Sequence, residues 1–195
     1  MMQVKYVAIM HMLPRLFLLF IFVSFSCVLH AKDESQILFG GDSLKISFPK
    51  EGSIFLPIYS ALKDNIPGDN DYNLEIYILV PEGSKYNQLY VGTLYPNGGK
   101  PEIESVFFHN VDDSPENELL ILVSHETKHY DSGGTYYTVY IFSREFDESS
   151  GGLKRLVSVE EKLGGGLEGI AEGKQVHAPY KNASDVRKLL KKLGY

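Results

Sequence analysis

His125-Glu126-Thr127-Lys128-His129 places two imidazoles four residues apart with a carboxylate between them. On an α-helix that spacing sets both imidazoles on one face, about 6 Å apart along the axis. There they can hold one Zn²⁺ while the glutamate activates a bound water for hydrolysis. His125 and His129 would be the ligands and Glu126 the general base. A second stretch, His109 to Glu118, is crowded with oxygen donors. Asp112, Asp113, Glu116 and Glu118 in it could supply part of the six to eight oxygens that Ca²⁺ requires.

Both chemistries depend on the elements that carry the residues. The pattern at 125–129 resembles the zinc signature of metallopeptidases, over five residues, and that resemblance implies a helix. Ser114-Pro115-Glu116 reads as an N-cap, a first-turn proline and a first-turn acid, and Gly133-Gly134 as a stop. Leu119-Leu120-Ile121-Leu122-Val123 argues the other way. A helix with that run must be buried all round, whereas a central strand carries it without strain. On an extended chain the two histidines stand about 13 Å apart, too far to share a tetrahedral ion. Thr127 and Tyr130 stand where such enzymes have apolar residues. Glu145, Glu160 and Glu168 are available as a third ligand, but none is marked out by its context. The acidic stretch is loosely similar to the calcium loops of integrin-like propeller repeats. It lacks their D-x-D-x-D-G spacing and their glycine, and Pro115 interrupts it, so an Asx-type turn before a strand is expected. The expectation is a strand at 119–123, no cofactor, and zinc or calcium only as alternatives.

The remaining elements read mostly as β. Leu44–Phe48 alternates apolar and polar residues. Ile54–Leu62 is ambiguous, with Pro57 inside it, and Ser60–Asn65 suggests a brief helix before a Gly/Pro loop at 65–71. Strands are expected at 74–80, 89–95, 103–108, 119–123 and 135–142, with a weaker one at 153–159. Asn-Gly and Gly-Gly turns between them argue for antiparallel pairing. Residues 130–134 form a connection, Gly164–Gly166 a flexible break, and the stretch holding Gly169 and Gly173 stays loose. At the C-terminus Val186, Leu189, Leu190 and Leu193 make one apolar stripe. Asn182 or Ser184 can cap it, Asp185 lies in the first turn, and Lys188, Lys191 and Lys192 come before Gly194. The expected fold is α+β: a mainly antiparallel sheet of six to eight strands with the C-terminal amphipathic helix packed on one face.

The N-terminus reads as a secretory signal. Lys5 and Arg15 precede the uncharged run 16–29, and Ala31 follows it. The run is shorter than the ~20 residues that span a bilayer. Residues 1–31 are thus expected to be a signal peptide cleaved after Ala31, and 32–195 a single globular domain in the periplasm or medium, with no membrane span. Met12 offers an alternative start, and Cys27 reads as apolar filler in the signal rather than a lipidation site. The whole chain carries 19 basic and 25 acidic side chains, net −6. Losing Lys5 and Arg15 leaves 17 basic and 25 acidic, net −8, with no cysteine. Such a chain repels nucleic acid and uses no disulfide or thiol chemistry. No serine–histidine–aspartate signature, nucleophile elbow or phosphate loop is present. Tyr130, Tyr136, Tyr137 and Tyr140 lie along one hairpin, where tyrosine offers area and a polar tip for recognition. The function expected is that of an exported, non-enzymatic binding or inhibitory protein whose partner is another protein, such as a cell-wall hydrolase or a toxin.

Overall fold

Strand-forming segments dominate the chain, and hairpins fold them into antiparallel pairs. The computed structural model describes residues 38–39, 43–61, 72–112 and 114–195. The segment expected to be a signal peptide, with Cys27 and Ala31, as well as Asp113 and the 65–71 loop, lies outside those residues. The elements are β1 (Leu38–Phe39), β2 (Leu44–Ile46), β3 (Ser53–Ala61), β4 (Tyr72–Glu82), β5 (Lys85–Leu94) and β6 (Pro101–His109). They continue with β7 (Glu118–Lys128), β8 (Ser132–Asp147), β9 (Gly152–Arg155), α1 (Val157–Leu163), β10 (Gly166–Ala171), β11 (Lys174–Val176) and α2 (Ala183–Leu193). The architecture is α+β and mainly antiparallel. It has more strands than the six to eight expected, and they divide into two sheets rather than one.

The first sheet is five-stranded, in the order β1-β3-β4-β5, with β2 beside β1 on the same edge of β3. Pro57 falls between the residues of β3 paired with β2 and those paired with β1. That edge is open there among the described residues, a place where a strand tolerates a missing N–H. The second sheet is six-stranded, in the order β11-β10-β8-β7-β6, with β9 pairing the far end of β8.

The two sheets pack face to face, and the helices cover the outer face of the second. Strand β7 lies between these layers. Leu119, Ile121 and Val123 join Phe55, Ile76, Ile78 and Val91 between the sheets. Leu120 and Leu122 join Val159, Leu163, Val186 and Leu190 beneath the helices. The run that is apolar on every side is thus a strand buried on both faces. Each of its side chains contributes about 2–3 kcal/mol of hydrophobic burial.

Four local expectations are corrected. Ser60 and Ala61 end β3 rather than starting a helix, because their strand pairs with Tyr72 and Asn73 of β4. Val157 to Val159 begins α1, since Val159 and Leu163, four apart, both reach the apolar layer under the helices. Gly133 and Gly134 lie inside β8, so the β7–β8 connection is only His129-Tyr130-Asp131, closed by His129 N–H donating to the Ser132 carbonyl at 2.7 Å. The stretch with Gly169 and Gly173 forms the β10–β11 hairpin. Gly134 and Gly169 face each other across β8 and β10, with φ of 146° and 159°. A Cβ on either would meet the partner's backbone, so glycine is what lets these strands approach. Helix α2 is capped as expected, Asn182 Oδ1 accepting from Asp185 N–H at 3.0 Å. Leu193, the last residue of its stripe, is exposed.

Candidate functional site

The H-E-x-x-H segment lies on β7, so the helix reading at 115–131 is overturned. Alternation along the strand separates its residues. His125 follows Leu119, Ile121 and Val123 on the buried face, Glu126 is exposed, and His129 is exposed just beyond the strand. His129 and His125 cannot share an ion at the spacing of an extended chain. The three acids considered as a further ligand are engaged apart from one another. Glu145 pairs with Lys154 at 2.5 Å, Glu160 with Arg155 at 2.6 Å, and Glu168 with His177 at 3.0 Å and Lys181 at 3.4 Å.

The acidic stretch is a turn whose carboxylates have separate tasks. Asp112 Oδ1 accepts from Ser114 N–H at 2.7 Å, an Asx turn. Glu116 pairs with Arg144 at 2.8 Å. Glu118 is buried, and its Oε2 accepts from Val111 N–H at 2.7 Å. Burial pushes the Glu118 carboxyl above its usual range, against the pull of that backbone bond. Among the described residues no three His, Cys, Asp or Glu side chains gather to hold a metal.

His125 instead plugs the junction of the two sheets. Its side chain is 0 % exposed. Nδ1 stands 3.2 Å from the Gly99 carbonyl, in the tautomer that makes it the donor, and Nε2 has no hydrogen-bond partner among the described residues. Burial holds the imidazole below its ordinary pKa, opposed by the Gly99 bond. Gly99 lies so close to the Glu126 backbone that a Cβ would clash with the Glu126 carbonyl.

The four hairpin tyrosines take different places. Tyr130, at the tip, is fully exposed. Tyr137 packs against the layer under the helices. Tyr140 lies against the apolar layer between the sheets, with the Arg155 guanidinium 4.5 Å from its ring centroid. Tyr136 is half-buried, its hydroxyl lying over Gly165. Sequence reasoning missed Tyr95, which is exposed at the start of the β5–β6 connection. That connection lies against the end of β7, with Gly98 beside Thr127. Its position just before Pro96-Asn97-Gly98-Gly99 was the available signal, since a tyrosine bordering a turn is held where a strand face cannot cover it.

No family model matches the chain, and comparisons with curated proteins and with solved structures find no match. What the fold and side chains define is a class: a two-sheet antiparallel domain with helices on one outer face. Among the described residues, no helix is long and apolar enough to cross a membrane.

Proposed function

We propose that this chain is an exported, non-enzymatic binding protein, and that it acts on another protein, such as a cell-wall hydrolase or a toxin with a basic surface. The observation that carries this reading is Tyr130, a fully exposed aromatic side chain at the tip of a short hairpin turn. An exposed tyrosine on a short, backbone-closed turn loses little entropy on docking and supplies both area and a hydroxyl. Tyr95, on the neighbouring connection, adds a second exposed ring. The excess of acidic over basic residues supports a basic partner.

The test uses the purified chain as bait against a periplasmic extract at low salt, beside Tyr130→Ser. The expected result is one stoichiometric protein that the variant no longer captures and that added salt releases. Equal capture by both baits, or no stoichiometric partner, refutes the reading. So does stoichiometric zinc in the purified protein that is lost in His125→Ala, because that would restore the hydrolase.

A further inference from the structure

We propose that His125 is an acid-sensitive pin: its neutral imidazole holds the β5–β6 connection against β7, and its protonation releases that connection together with the first residues of β6. The inference does not depend on what the hairpin tip binds.

Few bonds fix this segment. Among the described strands, β6 pairs with β7 alone. Its first residue, Pro101, lies directly opposite His125, and its carbonyl accepts from the Tyr59 hydroxyl of β3 at 2.6 Å. Asn97 N–H donates to the Gly99 carbonyl at 3.3 Å, a bond within the connection itself. Apart from β-ladder bonds, the His125–Gly99 and Tyr59–Pro101 bonds and a Ser124 Oγ–Glu104 Oε1 bond at 2.7 Å tie the connection and the start of β6 to the rest of the fold among the described residues.

The imidazole is satisfied in one protonation state only. In the neutral form Nδ1–H donates to Gly99 and Nε2 is a bare acceptor, a smaller cost than an unpaired charged donor. A second proton would create a buried, charged donor with no acceptor, the costliest kind of unpaired group. Among the described residues, no facing group offers compensation. From β8 the cross-strand neighbour is Tyr136. From β3 comes Tyr59, whose own hydroxyl is raised to about 12 by burial and by Glu102. From the connection comes Lys100, a cation seated 4.1 Å from the Tyr59 ring centroid. Glu102 of β6 and Glu126 of β7 are exposed. The unpartnered Nε2–H of the imidazolium is relieved by reaching water, and that movement carries the ring away from Gly99 although the charge favours the Nδ1–Gly99 bond.

The sign follows from linkage. The closed form binds the proton more weakly than the open form, whose histidine titrates near 6.5. Opening is therefore constant above that pH. Below it, opening rises tenfold per pH unit until the closed-form pKa is reached.

Hydrogen exchange of the full chain, corrected for intrinsic rates, is measured from pH 7.5 to 4.5. Amides at 97–104 should lose protection up to tenfold per unit below pH 6.5, while β4 amides hold theirs. His125→Phe, which fills the site and cannot titrate, should make the 97–104 profile flat. Should that variant not fold, His125→Asn and the wild-type imidazole resonance decide the matter. The asparagine variant must lose the pH dependence, and the wild-type resonance must titrate below 6.5. A flat wild-type profile, an unchanged slope in the folded variant, or a His125 midpoint at or above 6.5 overturns the proposal.

Discussion

Replacing Glu160 with alanine would unmake a cap that the fold places where no strand can go. Strand β10 pairs with β8 through Tyr137, and β9 resumes at Phe142. Between them the outer edge of β8 has no strand partner among the described residues. Helix α1 fills the gap: Leu156 N–H donates to the Ile141 carbonyl at 2.8 Å, and Ile141 N–H donates to Glu160 Oε1 at 2.8 Å. The same carboxylate accepts Arg155 Nε at 2.8 and 2.9 Å and Nη2 at 2.6 Å. The Glu160 side chain is 8 % exposed and the Arg155 side chain 41 %. Leaving the Ile141 N–H without a partner costs about 1–3 kcal/mol. The ion pair adds no more than about 1 kcal/mol, because water screens its half-exposed arginine. Glu160→Ala should therefore lose about 1–4 kcal/mol. Glu160→Gln keeps an acceptor for Ile141 and should lose about 1 kcal/mol. Arg155→Met leaves the buried Glu160 carboxylate with the Ile141 N–H but no cation and should lose about 1–3 kcal/mol, including its contact with the Tyr140 ring. Urea denaturation with an unchanged m-value measures all three. If the glutamine variant is as damaged as the alanine variant, charge pairing and not the backbone cap is what matters. If alanine costs under about 1 kcal/mol, water caps β8 as well as the carboxylate does.

Two further substitutions probe other parts of the fold. Asn182→Ala removes the α2 cap and should cost about 1 kcal/mol in the same assay. An unchanged midpoint would mean that packing of Val186 and Leu190 alone fixes the helix start. Gly134→Ala forces a Cβ into the backbone of Glu168 and Gly169, so exchange protection at 166–176 should collapse while that of β4 and β5 persists. Retained protection would show that β10 can shift outward without losing its pairing.

The strands legible in the sequence were those whose neighbours are local. The sequence marks strands at 74–80 and 89–95, and β4 (Tyr72–Glu82) and β5 (Lys85–Leu94) extend them until only Gly83-Ser84 separates the two. The run at 119–123 was legible as a strand because no small domain can wrap a helix apolar on every side. What covers its two faces was not legible, since that depends on pairing between residues distant in sequence. The single expected sheet became two for this reason: local alternation says that a face is buried, not what buries it. The β10–β11 hairpin was misread because glycine's usual meaning, looseness, was applied where two glycines face each other across a ladder. Helix α1 was misread because Val157 and Val159 favour strands, and the tertiary demand for Val159, Glu160 and Leu163 on one side outweighed that propensity.

The segment at 125–129 shows why a motif must be read with its period. Histidine at i and i+4 means one shared face at 3.6 residues per turn. At the strand's period of two it means one face only if the strand runs on through both residues. Strand β7 stops at Lys128, one residue before the second histidine, because the Tyr130-Asp131 turn reverses the chain there. The same five residues therefore split into a sealed imidazole, an exposed carboxylate and an exposed imidazole. The sealed one stays chemically distinctive for a different reason from the one the motif suggests. A zinc-bound histidine is held by its metal, whereas His125 is held by one carbonyl and by the exclusion of water. Its neutral state is what the junction of the two sheets requires. A histidine at that position thus makes the junction depend on pH, a dependence that a leucine of similar volume would not bring.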